Sequence, residues 1–237
     1  MTNSVQPQHN RVTQAFDNAL STFLASDAIQ HLLARKLTVE EYGRILREIY
    51  FYTRENPQLQ AALTLKLTGR GRSIVKPMLR HSASEIGHDQ LALDDLKTIG
   101  QFSTDIVNQR PRPTTNPMIA WPHYAIAMRR PAAYLAHIYF LEHMPTTAGA
   151  QFAGALLECG IPKDALTFLE EHVAVDVSHN KLMELYLNET LLDEADYLDF
   201  EYGLHVTSNH YAAMLAGAIW GEERHSGCVL DPVESIH

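Results

Sequence analysis

Cysteine is scarce in this chain, which has two cysteines against thirteen histidines in 237 residues. With so few thiols, neither a disulfide framework nor a cysteine-rich zinc site is expected. Any metal bound by this chain should therefore have nitrogen and oxygen ligands.

Basic residues are also few relative to acidic ones. The formal net charge is −9, because 28 acidic residues outnumber 19 basic ones. A general nucleic-acid or anionic-membrane surface needs a basic patch, and the one local concentration of basic residues reads more simply as a solvated helix face. The residues of that concentration are Arg70, Arg72, Lys76 and Arg80. The sequence therefore predicts neither nucleic acid nor a membrane as a partner.

Long apolar runs are missing as well. The longest, Tyr211 to Trp220, is roughly half of what a membrane span requires, and Met1 to His9 lacks the apolar core of a signal peptide. A cytoplasmic location is therefore predicted. Hydrophobic residues make up 46% of the chain and charged residues 20%, which is typical of a folded globular protein. We expect one domain over residues 1–237, with flexible ends at about 1–9 and 222–237.

The apolar residues recur with helical spacing, and no window alternates as a strand would, so an all-α fold is predicted. Thr38 and Glu41 form a capping-box signature that starts one helix, and Ser26 with Asp27 interrupts another. A proline-rich region at 109–122 is expected to be an irregular loop that could control substrate access. The predicted helical segments are about 10–35, 38–55, 57–68, 73–99, 130–158 (broken or bent near Pro145), 164–192 and 193–221.

Two stretches carry the same pattern of possible metal ligands: a histidine, an acid four residues later and a histidine three residues after that. One is His172, Asp176 and His179, and the other is His81, Glu85 and His88. At about 100° per helical residue, such side chains fall within roughly 60° of one another. Two helices that face each other in this way make the kind of cage in which a bundle holds a dinuclear site. His81 stays outside the predicted ligand set, because it could equally orient a ligand or face solvent.

Four acids are predicted to face the interior, and inward lysines or arginines that could neutralise them are not evident. Burying several unpaired carboxylates is costly, whereas two divalent cations would supply the four positive charges required. Mixed histidine and carboxylate ligation suits iron, with manganese as the alternative. The four acids are Glu48, Glu85, Glu142 and Asp176.

Together, these motifs resemble the haem-oxygenase-like diiron oxidases, a family related to the TenA and PQQ-biosynthesis-protein helical folds. The resemblance covers about residues 40–220 and implies a bundle of about seven helices. It also implies a non-haem centre of two iron ions that activates dioxygen to oxidise a small, carboxylate-bearing substrate. An external electron donor and a homodimer would fit this family. The metal ligands it implies, with Glu142 as the bridge, are Glu48, Glu85, His88, Glu142, His172, Asp176 and His179.

Three alternatives remain at this stage. A haem-degrading oxygenase of the same fold would need an axial histidine, for which His9 or His31 is available, and a glycine-rich helix, for which 149–154 is a poor candidate. A TenA-like hydrolase would need a cysteine nucleophile, but Cys159 has no evident base. A non-enzymatic helical binding protein would use the same histidines and acids only for internal hydrogen bonds.

Overall fold

The computed structural model describes residues 5–174 and 176–221, with side chains described for 10–174 and 181–221. Within these residues the regular elements are helices and none is a strand, which confirms the all-α prediction. Short 3-10 turns occur at Thr64–Lys66, Gly69–Ile74, Thr104–Asn108 and Lys163–Ala165. The α-helices are α1 (Val5–Leu24), α2 (Asp27–Leu33), α3 (Val39–Thr53), α4 (Asn56–Leu63), α5 (Val75–Ser84), α6 (His88–Thr98), α7 (Asn116–Met128), α8 (Pro131–Glu158), α9 (Thr167–Ala174), α10 (Asp176–Thr190) and α11 (Glu194–Trp220).

The two helix-start signals read from the sequence, at Thr38 and at Ser26, both mark the N-cap of a helix. The Thr38 hydroxyl accepts a hydrogen bond from the Glu41 backbone N–H, and the Glu41 carboxylate accepts one from the Thr38 N–H, so the capping box forms. The first two helices are separate, with Ser26 at the N-cap of α2. One difference is that α1 begins at Val5, five residues before the predicted start.

The two longest helices, α8 and α11, pack against each other at the centre of the bundle. They lie close together at Gly203, where a Cβ atom would lie 2.5 Å from the Ala133 carbonyl oxygen. A larger residue at 203 would therefore force the two backbones apart. The buried apolar side chains form one cluster that extends from Val12 on α1 to Ile219 on α11. None of the described helices is both long enough and apolar enough to cross a bilayer.

The predicted helix over 73–99 is wrong in one respect that matters for the site. Two helices replace it, α5 and α6, joined by a turn over Glu85, Ile86 and Gly87. Gly87 has a φ of +100°, which residues with a Cβ rarely adopt, and it is the N-cap of α6. The prediction relied on the spacing of apolar residues alone, and that spacing gives no sign that the helix ends before Gly87.

The region 109–122 is also less irregular than predicted, because α7 starts at Asn116 and continues through Pro122. Pro117 lies in the first turn, where its missing N–H would be unpaired in any case. Likewise α8 continues through Pro145, so of the two predicted outcomes, a break or a bend, the break does not occur. A proline inside a helix costs about 3 kcal/mol, and here both Pro122 and Pro145 are buried, so tertiary packing offsets that cost.

These differences make the prediction of about seven helices too low. The extra elements arise because α1 and α2 are separate helices, because the turn at Gly87 separates α5 from α6, and because α7 forms in the region predicted to be a loop. Val175, between α9 and α10, lies outside the described residues, as do residues 1–4 and 222–237 of the two ends predicted to be flexible.

Candidate metal centre

Two groups of ligand atoms meet in the interior of the bundle. The first, which we name the His81 group, contains His81, Glu85 and Glu142. The second, the His88 group, contains Glu85, His88 and His172. Within each group the possible ligand atoms lie within 4.8 Å of one another. Glu85 belongs to both groups, so its carboxylate lies between the two possible metal positions.

In the His81 group, one histidine lies between two carboxylates. His81 Nε2 is 3.2 Å from Glu142 Oε1 and 3.5 Å from Glu85 Oε1. His81 and Glu85 are almost completely buried, and the Glu142 side chain is only 15% exposed. The ring of Tyr186 stacks near His81, with 6.2 Å between ring centroids. This group is therefore a buried nitrogen and oxygen ligand set with an aromatic ring beside its histidine.

In the His88 group, two imidazoles lie beside the other oxygen of Glu85. His88 Nδ1 is 3.4 Å from Glu85 Oε2, and the rings of His88 and His172 have centroids 5.1 Å apart. His172 Nδ1 is 2.6 Å from the Phe168 carbonyl oxygen. Because a carbonyl only accepts, Nδ1 must donate and carry the proton, which leaves Nε2 with a lone pair for a metal.

The turn between α5 and α6 explains why Glu85 can serve both groups. Glu85 is the C-cap of α5, and its carbonyl accepts a hydrogen bond from the backbone N–H of His88 at the start of α6. The turn requires the positive φ of Gly87. Glu85 is consequently held beside His81 on one helix and beside His88 on the next.

The protonation states of the four groups are set by burial and by their mutual contacts. Burial opposes protonation of His81, but Glu142 and Glu85 outweigh it and raise the pKa of His81 to about 9. Burial favours neutral Glu85, but hydrogen bonds from His81 and His88 outweigh it and lower its pKa. The Glu85 contact raises the pKa of His88, whereas burial lowers that of His172. Thus Glu85 is ionised, and His172 is neutral, as a metal ligand must be.

The ligand set fits iron on chemical grounds. Both groups combine carboxylate oxygen with imidazole nitrogen, and neither contains sulfur. Such a mixture suits iron or manganese, whereas structural zinc sites are closed tetrahedra that often use cysteine. The two carboxylates also supply negative charge that a bound cation would neutralise.

Four of the seven predicted ligands are brought together: Glu85, His88, Glu142 and His172. The predicted bridge was Glu142, but the residue common to both groups is Glu85. His81, which the prediction left out, belongs to the His81 group, and the signal for it was its spacing from Glu85 and His88. The side chains of Asp176 and His179 lie outside the described residues.

Glu48 is buried as predicted but belongs to neither group among the described residues. Its Oε2 accepts hydrogen bonds from the Arg112 backbone N–H at 2.9 Å and from the Thr115 hydroxyl at 2.6 Å. Its Oε1 accepts a hydrogen bond from Arg47 Nη1 at 3.1 Å. These contacts attach residues 112–115 to α3, so this part of the predicted access loop is fastened to the bundle.

The features proposed for the alternative functions have other surroundings. At Gly149, a Cβ atom would lie 2.5 Å from Val173 Cγ2, so this glycine permits close packing of α8 against α9. His31 Nε2 lies 3.6 Å from Glu41 Oε2, and the His31 ring packs against the ring of Trp220. Cys159 is the half-buried C-cap of α8. The side chain of His9 lies outside the described residues.

Asp95 links the helices that carry His88 and His172. It lies on α6, is fully buried, and accepts hydrogen bonds from the first two backbone N–H groups of α9. The bonds run from Thr167 N (3.0 Å) and Thr167 Oγ1 (2.6 Å) to Oδ1, and from Phe168 N (3.0 Å) to Oδ2. Phe168 in turn fixes the ring of His172 through its carbonyl. Asp95 is therefore a positioning residue for the His88 group.

We expect Asp95→Asn to weaken ferrous-iron binding about tenfold or more, because outer hydrogen-bond partners of metal ligands have effects of this size. Asp95 accepts through both of its carboxylate oxygens, but asparagine has only one acceptor oxygen. Its NH2 group would face one of the two α9 N–H donors without forming a hydrogen bond. Iron affinity is measured by chelator competition, with thermal unfolding recorded in parallel. The matched control is Asp94→Asn, since Asp94 is exposed and pairs with Lys97 on the same helix. Equal affinities in the two variants would show that Asp95 does not position His172.

Comparison with known proteins adds independent findings. The sequence profile of one protein family, described as iron-containing redox enzymes, matches residues 43–200. That range contains every residue of the His81 and His88 groups. No curated protein sequence matches the chain.

Solved structures with the same fold cover most of the chain. A domain of unknown function with a haem-oxygenase-like fold from Shewanella denitrificans is 21% identical, with 92% of this chain and 93% of that one covered and a TM-score of 0.77. A TenA homologue from Pseudomonas syringae is 13% identical, with coverage of 89% and 91% and a TM-score of 0.74. A TenA homologue from P. horikoshii is 10% identical, with coverage of 90% and 99% and a TM-score of 0.68. At these identities the likeness shows the fold alone, and it confirms the haem-oxygenase-like, TenA-like architecture.

Proposed function

Because the chain belongs to the iron-containing redox enzyme family, we propose that it is a non-haem diiron oxidase that uses dioxygen to oxidise a small organic molecule. The family and the fold that the motifs indicated are both confirmed. The dinuclear centre, the reaction and the carboxylate-bearing substrate expected from the sequence belong to the proposal.

The observation that carries the proposal is the position of Glu85 in both ligand groups. A carboxylate shared between two sets of histidine and acid ligands is what two neighbouring cations need, since each of its oxygens can bind one of them. Oε1 of Glu85 faces His81, and Oε2 faces His88. We propose that Asp176 and His179, placed one helical turn and two turns after His172 in the sequence, complete the ligand set.

When bound, iron would supply the redox chemistry with dioxygen, which no side chain of the chain can perform. The chain's own residues hold and orient the ligands. Asp95 and the Phe168 carbonyl fix His172, and the Tyr186 ring covers His81. Without metal, His81 holds a proton on Nε2 between Glu142 and Glu85, and cation binding must displace that proton. The other partners of this proposal are a small-molecule substrate and an external electron donor.

The proposal is tested by anaerobic loading with ferrous iron followed by exposure to oxygen. We expect about two ions to remain per chain, oxygen to be consumed, and a transient visible absorption to appear. Zinc loading should fill the same ligands without oxygen uptake. His172→Ala should abolish iron retention and oxygen uptake, whereas His123→Ala, at an exposed position on α7, should change neither. Oxygen uptake that His172→Ala leaves intact would contradict the proposal.

A further inference from the structure

A cavity of about 120 Å³ in the bundle interior reaches the ligand groups. Glu85, Glu142 and His172 form part of its wall, and α2, α3, α8, α9 and α11 supply most of the rest. A molecule in this cavity would therefore lie directly beside the proposed metal ligands. The composition of the wall consequently limits what can be oxidised there.

Most of the wall is hydrocarbon. Branched aliphatic and aromatic side chains face the cavity from several helices, and they offer contact area without hydrogen bonds. Examples from four helices are Ile29, Ile45, Ile49, Leu141, Phe152 and Leu215. Such a wall gains free energy only by removing apolar surface of the ligand from water.

The described wall contains carboxylates but neither lysine nor arginine. The arginines of α3 and its C-cap are engaged elsewhere, and Arg47 donates to Glu48 Oε1. Arg44 donates to the carbonyls of Ala218 and Ile219 at the end of α11, and Arg54 lies over the rings of Tyr50 and Phe51. A substrate carboxylate inside the cavity would find neither a lysine nor an arginine among the described lining residues to pair with.

The hydroxyls of Tyr42 and Tyr52, two of the three tyrosines in the wall, already donate hydrogen bonds to protein atoms. The Tyr42 hydroxyl donates to the Ala165 carbonyl at 2.8 Å, and the Tyr52 hydroxyl donates to that of Tyr211 at 3.3 Å. A polar ligand would have to break these buried bonds to gain its own. The tyrosines therefore present mainly their ring faces and edges to the cavity.

We propose that the substrate places a hydrocarbon chain in this cavity, beside Glu85, Glu142 and His172, and is recognised by that chain and not by a charged head group. The inference rests on the proposed function in one respect: that function makes Glu85, Glu142 and His172, beside which the hydrocarbon chain lies, the ligands of the metal. It narrows the substrate class to molecules with an alkyl chain. A carboxylate, if the molecule has one, lies outside the apolar wall.

Binding to the metal-free full chain, measured by calorimetry, tests this inference. The ligands are hexanoate, octanoate and decanoate, with decanol as an uncharged chain and arginine as a polar comparison. We expect affinity to rise about fourfold with each added methylene, up to a limiting length. Decanol should bind about as tightly as decanoate, and arginine should bind far more weakly. Affinity that does not depend on chain length, or tighter binding of arginine, would overturn the inference.

A matched pair of substitutions locates the binding site. Leu32 lines the cavity, and its neighbour Leu33 is similarly half-buried but not in the lining. Leu32→Trp should reduce decanoate affinity at least tenfold, and Leu33→Trp should leave it unchanged. Equal effects of the two substitutions would overturn the inference. If Leu32→Trp fails to fold, Ile49→Ala provides a second test, because it enlarges the cavity. The longest alkyl chain that still gains affinity should then increase by one or two methylenes. An unchanged limiting length would overturn the inference.

The two proposals fail separately in these measurements. Loss of iron binding or oxygen uptake with intact chain-length dependence would refute the oxidase and leave the hydrocarbon site. Iron retention and oxygen uptake without any alkyl binding would refute the hydrocarbon site alone.

Discussion

Glu85→Gln is expected to reduce the iron retained after anaerobic loading from about two ions per chain to fewer than one. The carboxylate faces both His81 and His88, so its replacement removes a ligand from both groups at once. An amide carries no charge and offers one oxygen where the carboxylate offered two. Oxygen uptake should fall to background as a result. Metal analysis and an oxygen electrode measure both effects.

Two controls make the Glu85 result specific. Glu170→Gln, the same change at an exposed position on α9, should retain normal iron content and oxygen uptake. His81→Ala removes a ligand from one group only and should spare part of the iron. If Glu85→Gln bound as much iron as the unchanged protein, the shared-carboxylate arrangement would be wrong.

Glu48→Gln should have a large effect of a different kind. We expect it to lower the free energy of unfolding by about 3 kcal/mol, because it removes the charge of a buried carboxylate that accepts from Arg112, Thr115 and Arg47. In a chain of this size that corresponds to a fall in Tm of roughly 6–12 °C. The iron content should stay the same, since Glu48 belongs to neither described ligand group.

Thermal unfolding and metal analysis of the same samples separate stability from ligation. Glu40→Gln, at an exposed position in the first turn of α3, serves as the control and should cost less than about 1 kcal/mol. Loss of iron from folded Glu48→Gln protein would restore the ligand role that the sequence predicted for Glu48.

Much of the fold and site follows from local patterns. The capping box at Thr38 and the break at Ser26 involve neighbouring residues, so the sequence carries the information for them. The spacing of Glu85 and His88 likewise indicated that the two side chains belong together, and their possible ligand atoms do lie in one group. The apolar stripes around Glu48 and Glu142 also pointed those acids inward.

What the sequence could not supply is the partner that each inward group meets. Glu48 points inward as predicted, but its partners Arg112 and Thr115 lie more than sixty positions away, in a segment whose path depends on tertiary packing. His81 has the right spacing, yet its burial depends on Tyr186 and Glu142 from distant helices. The turn at Gly87 is a further case, because a glycine within a periodic pattern can either continue or end a helix.

The measurement that tests the central claim most directly is an anomalous-scattering map, recorded at the iron absorption edge, of crystals loaded anaerobically with ferrous iron. We expect two peaks per chain, one beside His81 and Glu142 and one beside His88 and His172, with Glu85 between them. Iron peaks elsewhere in the bundle, or a single peak that Glu85 does not contact, would contradict the central claim.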